Sequence, residues 1–274
     1  MISLYNIAKE NYSHDPVTKP LRYYEIFEQA LHEEGLSPKS ILEIGVYQGE
    51  STKALSRRFP AAHIVAVDLN LKEIDFSAHH NVHYLQCDQT DRAKLRSICE
   101  DHFPDGLDLV IEDASHIGHL SRLTFNFVFP QVRSGGLYII EDWGTGYWDT
   151  WIDGGRFSDC RVPATTGRIA RTIRSHSLGM VGFVKSLVDY TAADDIADDR
   201  AIARTPMARL ALAVGRLSAL RKMVDRMPRF KLSLTQILQP GGGARVAAPP
   251  EGHPELPRLK SLKFFRGVCI ACKA

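Results

Sequence analysis

From Ser40 onward, apolar residues follow two alternating patterns. Short, almost continuous apolar runs, ILEIG (41–45), HIVAVD (63–68), VHYLQCD (82–88), LDLVIED (107–113) and GLYIIED (136–142), are separated by segments with helical spacing. Strands buried on both faces need such runs, and intervening helices return the chain for parallel pairing through right-handed crossovers. The pattern therefore predicts an α/β fold with a doubly wound, mostly parallel sheet. Four of the five runs end in an acid. Ligands of such sheets bind beyond the carboxyl ends of the strands, so Asp68, Asp88, Asp113 and the pair Glu141 and Asp142 are expected along one edge.

The flanks are helical at first. Leu21, Tyr24, Phe27 and Leu31 recur at helical spacing up to Gly35, which predicts a helix packed across the sheet. HSLGMVGFVKSLVDY (176–190) reads as another helix, and KSLKFFRGVCIAC (260–272) as a closing strand in an antiparallel pair. Thr205 and Pro206 form a helix start, after which Leu210, Ala213, Leu217, Leu220, Val224 and Met227 keep a/d spacing until Pro228. Arg209, Arg216, Arg221, Lys222, Arg226 and Arg229 decorate this amphipathic segment. It fits a lid, a contact between copies of the chain, a membrane-surface element, or an inserted helix pair folded back on its own domain. Residues 241–257, rich in Gly and Pro, read as a connection. The domain expectation is a helical cap at 1–39, a core at 40–190, an insertion with its connection at 191–257 and a closing strand at 258–274.

Composition narrows the partners. With Lys+Arg 34 against Asp+Glu 32, the formal net charge of the 274 residues is +2, so no global field suggests nucleic acid. No stretch approaches the roughly 20 apolar residues of a membrane span, and the first residues lack the apolar run of a signal peptide, which predicts a cytoplasmic protein. Cys87, Cys99, Cys160, Cys269 and Cys272 are odd in number and mostly scattered, as free thiols of a reducing compartment are. Cys269 and Cys272 form a CxxC, but in a strand they point to opposite faces, which disfavours a shared metal.

EIGVYQGES (43–51) follows a strand and opens a helix, where glycines let backbone approach a nucleotide closely. The spacing is GxxxG, without GxGxxG and without a following Lys-Ser/Thr. A pyrophosphate or triphosphate is therefore not suggested, and a smaller nucleoside fits better. Asp68 ends the next strand, where a carboxylate accepts hydrogen bonds from both ribose hydroxyls.

These residues carry a resemblance. Glu43-x-Gly45-x-x-x-Gly49 with Asp68 and Asp88 resembles the S-adenosylmethionine site of class I methyltransferases, over about residues 40–142. That resemblance implies a Rossmann-like fold of seven strands with helices on both faces and a helical insertion before the last strands. It implies a cofactor site of Glu43, Gly45, Gly49, Ser51, Asp68, Asp88, Gln89 and Asp113. In it, Glu43 and Gly45 line the methionine end, Asp68 holds the ribose, and Asp88 with Gln89 contacts the adenine. More narrowly, the DASH run at Asp113 to His116 and GLYIIEDW (136–143) resemble the metal-dependent sugar O-methyltransferases of macrolide and aromatic-polyketide antibiotic pathways. Carried over, Asp113, Glu141 and Asp142 are ligands of a magnesium ion and His116 is the general base.

The residues suit that chemistry. Three carboxylates meeting at neighbouring strand ends repel one another, and a divalent cation resolves the repulsion. All-oxygen ligation favours magnesium, manganese or calcium over zinc. His116, with its near-neutral pKa, suits removal of a hydroxyl proton, and His119 is a second candidate one turn further on. Acids at strand ends also cap helices, so Asp113 and Asp142 have a purely structural alternative. Trp143, Tyr147, Trp148 and Trp151 crowd the run WGTGYWDTW after the acid pair, either as a wall for a flat or sugar-like substrate or as packing under the loop. The leading expectation is methylation of a hydroxyl of a small molecule. A metal-independent methyltransferase and a non-catalytic module acting through the basic segment 205–228 are the alternatives.

Overall fold

The computed structural model describes residues 2–10, 12, 18–163, 174–192 and 258–274. The helix expected at 205–228 and the connection at 241–257 lie outside them.

The chain opens with α1 (Leu4–Glu10) and α2 (Leu21–Glu33), then alternates β1 (Ser40–Ile44), α3 (Glu50–Arg58), β2 (His63–Asp68), β3 (Val82–Gln86), α4 (Arg92–His102), β4 (Leu107–Glu112), α5 (Gly118–Val128) and β5 (Val132–Glu141). A short helix α6 (Ile152–Arg156), a two-residue pair β6 (Val162–Pro163) and β7 (Arg174–Ser175), and α7 (Gly179–Thr191) follow, before β8 (Leu259–Phe264) and β9 (Val268–Lys273). Seven strands form one sheet in the order β3-β2-β1-β4-β5-β9-β8. The first five are parallel, and β9 and β8 close the edge as an antiparallel hairpin. The expected closing strand is thus two strands, because Gly267, at φ +83°, lets the chain reverse between them.

Alternation within the buried runs builds two cores. Leu42, Ile44, Val65, Val67, Val110 and Tyr138 face α4, α5 and α7. Ile41, Ile64, Leu109, Ile111 and Ile139 face α1, α2 and α3, where α2 contributes Tyr23, Tyr24, Phe27 and Leu31. Cys269 and Cys272 fall into opposite cores as free thiols, as their spacing predicts. Among the described residues, no helix is long and apolar enough to cross a membrane.

This topology positions the site. Successive strands run outward from β1 through β2 to β3, and the chain then returns to β4 on the other side of β1. At that reversal the crossovers diverge and leave a crevice at the carboxyl ends of β1 and β4.

Candidate active site

The glycine loop is locked into this crevice by backbone. Gly45 N donates to Val67 O and Asp113 N to Ile44 O, each at 2.8 Å, so the ends of β1, β2 and β4 abut. Gly45 adopts φ +94°, and a Cβ there would run into the Asp113 carbonyl, so only glycine fits. Asp68 Oδ2 accepts from the amides of Val46 (2.9 Å) and Tyr47 (3.1 Å), and its Oδ1 accepts from Asn70 N. Asp68 therefore ties the loop to β2.

Beyond β3 two neighbours diverge. Asp88 faces solvent, and hydrogen bonds from the Thr90 amide and hydroxyl hold its carboxyl below the usual range. Gln89 turns inward: its amide nitrogen donates to Thr124 (3.0 Å) and Glu112 (3.4 Å), and its carbonyl accepts from Ser115 N (3.1 Å). Gln89 thus braces the loop that carries Asp113 and His116.

At the ends of β4 and β5, one ligand atom each from Asp113, His116 and Asp142 lie within 4.8 Å of one another. His116 Nε2 is 3.6 Å from Asp113 Oδ1 and 4.0 Å from Asp142 Oδ2. His116 and Asp142 hold left-handed backbone, φ +52° and +49°, a strain of about 1 kcal/mol each that aims both side chains inward. His116 Nδ1 is buried without a hydrogen-bond partner, beside the Trp151 ring at 5.8 Å. His119 lies exposed on α5.

Glu141 stands apart from this trio. Fully buried, it accepts a 2.6 Å hydrogen bond from Lys19 Nζ, which also lies 3.2 Å from Asp113 Oδ2, 3.9 Å from Glu43 Oε1 and 3.1 Å from Ser51 Oγ. Burial opposes the Lys19 charge, yet Asp113, Glu141 and Glu43 outweigh it and hold the ammonium above its ordinary pKa. Burial, reinforced by Asp113, pushes Glu141 up despite Lys19. Glu43 is also pushed up by burial; its Oε2 accepts from Thr52 Oγ1 at 2.5 Å, and its Oε1 has no hydrogen-bond partner. Glu112, buried behind His116, is pushed up to about 7 by desolvation.

The aromatic run divides. Trp143 Nε1 donates to Phe265 O at 3.2 Å and its ring packs on Phe264, so it anchors the β8–β9 hairpin. Tyr147 packs on His176 with its hydroxyl 3.2 Å from Ser175 Oγ. Trp148 stays 54% exposed. Beneath them, buried Asp153 Oδ2 accepts from the amides of Gly118 and Met180, both at 2.7 Å, and ties α6 to the starts of α5 and α7.

Two residues of this centre escape a reading of the sequence: Lys19, and Tyr23, whose hydroxyl donates to Asp142 Oδ1 at 2.5 Å. Lys19 and Tyr23 lie 122 and 119 residues from their acid partners on β5 and after it, and no local pattern marks them. The strand-end carboxylates of Asp113 and Asp142 suit a hard divalent cation, and the unpartnered Glu43 Oε1 suits a donor from a ligand.

The family described as FtsJ-like methyltransferase matches residues 22–139. The chain is 34% identical over 160 residues to 8-demethyl-8-(2-methoxy-alpha-L-rhamnosyl)-tetracenomycin-C 3'-O-methyltransferase of Streptomyces olivaceus, covering 56% of this chain and 36% of that protein. It is 31% identical over 167 residues to mycinamicin VI 2''-O-methyltransferase of Micromonospora griseorubida, covering 58% and 37%. The matched region spans little more than a third of these relatives' length. Among solved structures, the MycE methyltransferase of the mycinamycin pathway, in complex with Mg and SAH, superposes with a TM-score of 0.58 at 21% identity, over 100% of this chain and 55% of that one. At that identity the likeness is one of fold.

Proposed function

The chain has the class I methyltransferase fold and resembles sugar O-methyltransferases in sequence, and from that premise we propose that it is an S-adenosylmethionine-dependent O-methyltransferase, magnesium-assisted and cytoplasmic. Its substrate is a hydroxyl of a small molecule, a sugar on a polyketide-type metabolite being the class that the relatives' names support. In this reading 40–190 and 258–274 form the cofactor-binding core, 1–39 the cap and 191–257 an insertion.

The observation that carries the proposal is the meeting of Asp113, His116 and Asp142 beside the glycine loop. Gly45 and Gly49 bring the backbone against the cofactor, with Glu43 and Ser51 at its methionine end. Asp68 accepts from the ribose hydroxyls, and Asp88 stands at the adenine end. Gln89 supports the centre from within. Asp113 and Asp142, with Glu141 behind them, would hold the magnesium ion. Bound there, the ion supplies Lewis acidity that lowers the substrate hydroxyl's pKa and fixes its direction. His116, its Nε2 turned toward both acids, takes the hydroxyl proton as the oxygen attacks the sulfonium methyl. With the proton on His116, the transfer would yield the methyl ether and S-adenosylhomocysteine. Trp148 and Tyr147 flank the approach.

The test is methyl incorporation from labelled S-adenosylmethionine into a panel of glycosylated polyketides, with magnesium and with EDTA. Incorporation that EDTA abolishes is expected. Incorporation indifferent to EDTA would assign a metal-independent transferase, and none with any acceptor would contradict the reading.

A further inference from the structure

We infer that Lys19 is a built-in counter-ion of the acid centre, which holds Glu141 and Asp113 together until a ligand cation enters and displaces it. The inference rests on the proposed function for the nature of that cation. Its own basis is geometric. Lys19 Nζ bridges Glu141 Oε1 at 2.6 Å and Asp113 Oδ2 at 3.2 Å, oxygens from the ends of adjacent strands, and also contacts Ser51 Oγ. A divalent ion that used the same two oxygens would occupy the position of Nζ, and two cations do not share it.

The surroundings permit exchange. Lys19 lies between α1 and α2, outside either helix. It also forms one wall of a cleft of about 400 Å³, shared with Thr18, Tyr12, Gln48 and Glu50. The ammonium can swing into this cleft, which Glu50 lines with a carboxylate and Lys53 and Arg57 with cations. The arrangement also explains why Glu141 is missing from the trio of Asp113, His116 and Asp142: Lys19 has taken it. Without Lys19, the buried carboxylates Glu43 and Glu141 would face each other and Asp113 uncompensated.

Two cations satisfy this chemistry, the magnesium ion and the α-ammonium of the cofactor, and amine labelling separates them. The full chain is treated briefly with acetic anhydride and modification at Lys19 is read by peptide mass mapping, using exposed Lys260 as the internal reference. Labelling is compared for free protein, with magnesium chloride alone, with S-adenosylhomocysteine alone and with both. Protection in the free protein, and a rise of about tenfold on saturation with either ligand, is expected and identifies the displacing cation. Labelling that stays low while calorimetry shows both ligands bound would overturn the inference and make Lys19 a permanent member of the centre.

Lys19→Met supplies a second measurement through manganese binding, read by electron paramagnetic resonance. Binding tightened about tenfold over wild type is expected, since the metal-competent arrangement no longer has to be released. Binding weakened or unchanged would exclude the metal as the displacing cation, and would overturn the exchange if S-adenosylhomocysteine also leaves Lys19 protected. If neither protein binds metal while S-adenosylhomocysteine binds and leaves Lys19 protected, the exchange fails and the cofactor reading stands. If S-adenosylhomocysteine binds neither, the functional reading itself fails.

Discussion

The Tyr23 hydroxyl donates a 2.5 Å hydrogen bond to Asp142 Oδ1, which joins the helix before the sheet to the carboxylate after its fifth strand. Burial, reinforced by Asp142, raises the Tyr23 pKa, so the phenol remains a donor across the physiological range. Tyr23→Phe removes a charge-assisted bond and is expected to cost about 1.5–3 kcal/mol in urea unfolding. Because Tyr23 lies away from the glycine loop, affinity for S-adenosylhomocysteine should stay within about twofold; a larger loss would show that Asp142 reaches the cofactor.

Gly45→Ala tests the contact between strand ends. A Cβ at φ +94° adds backbone strain and drives into the Asp113 carbonyl, so a loss of about 3 kcal/mol or more is expected by chemical denaturation. A variant of wild-type stability that still bound S-adenosylhomocysteine would contradict the packing of β1 against β4.

Glu112 predicts a pH dependence in the metal-free protein. Its folded pKa of about 7 lies above the unfolded value near 4.5, so between these pH values the folded state holds more proton than the unfolded state. By linkage, this group's contribution to stability is full below pH 4.5 and falls as pH rises to about 7, by about 2–3 kcal/mol. Glu112→Gln should therefore raise the melting temperature at pH 8 and leave it nearly unchanged at pH 4.5. Equal shifts at both would show that Glu112 does not titrate in this way.

His116→Gln removes the proposed base while keeping a polar side chain of similar reach. Methyl transfer should fall by about 10²–10⁴ with S-adenosylhomocysteine affinity maintained. Activity kept within tenfold would return the role to His119 or to a water.

The sheet and its acidic edge are legible in the sequence because short, near-continuous apolar runs alternating with helical patterns mark buried parallel strands, and the acids stand where the runs stop. Asp113, His116 and Asp142 come together for that reason. Glu141 does not join them: the last residue of β5, it turns to Lys19, while Asp142, just after the strand in left-handed backbone, turns to His116. Gln89 follows a strand-end acid and reads as a ligand contact, yet its carboxamide is engaged by Thr124, Glu112 and Ser115. Lys19, just before α2, and Tyr23, on it, reach the centre through packing of that helix across the sheet, a relationship of more than a hundred residues that no periodicity encodes.

Calorimetric titration of S-adenosylhomocysteine into the full chain and into Asp68→Asn, with folding checked by circular dichroism, tests whether a nucleoside cofactor is held beside Asp68. Asn keeps the shape but loses the charge that the ribose hydroxyls would meet. One-to-one binding that weakens about 10- to 100-fold in the variant is the predicted result. No binding by the folded wild type, or equal affinity in the two proteins, would contradict the account.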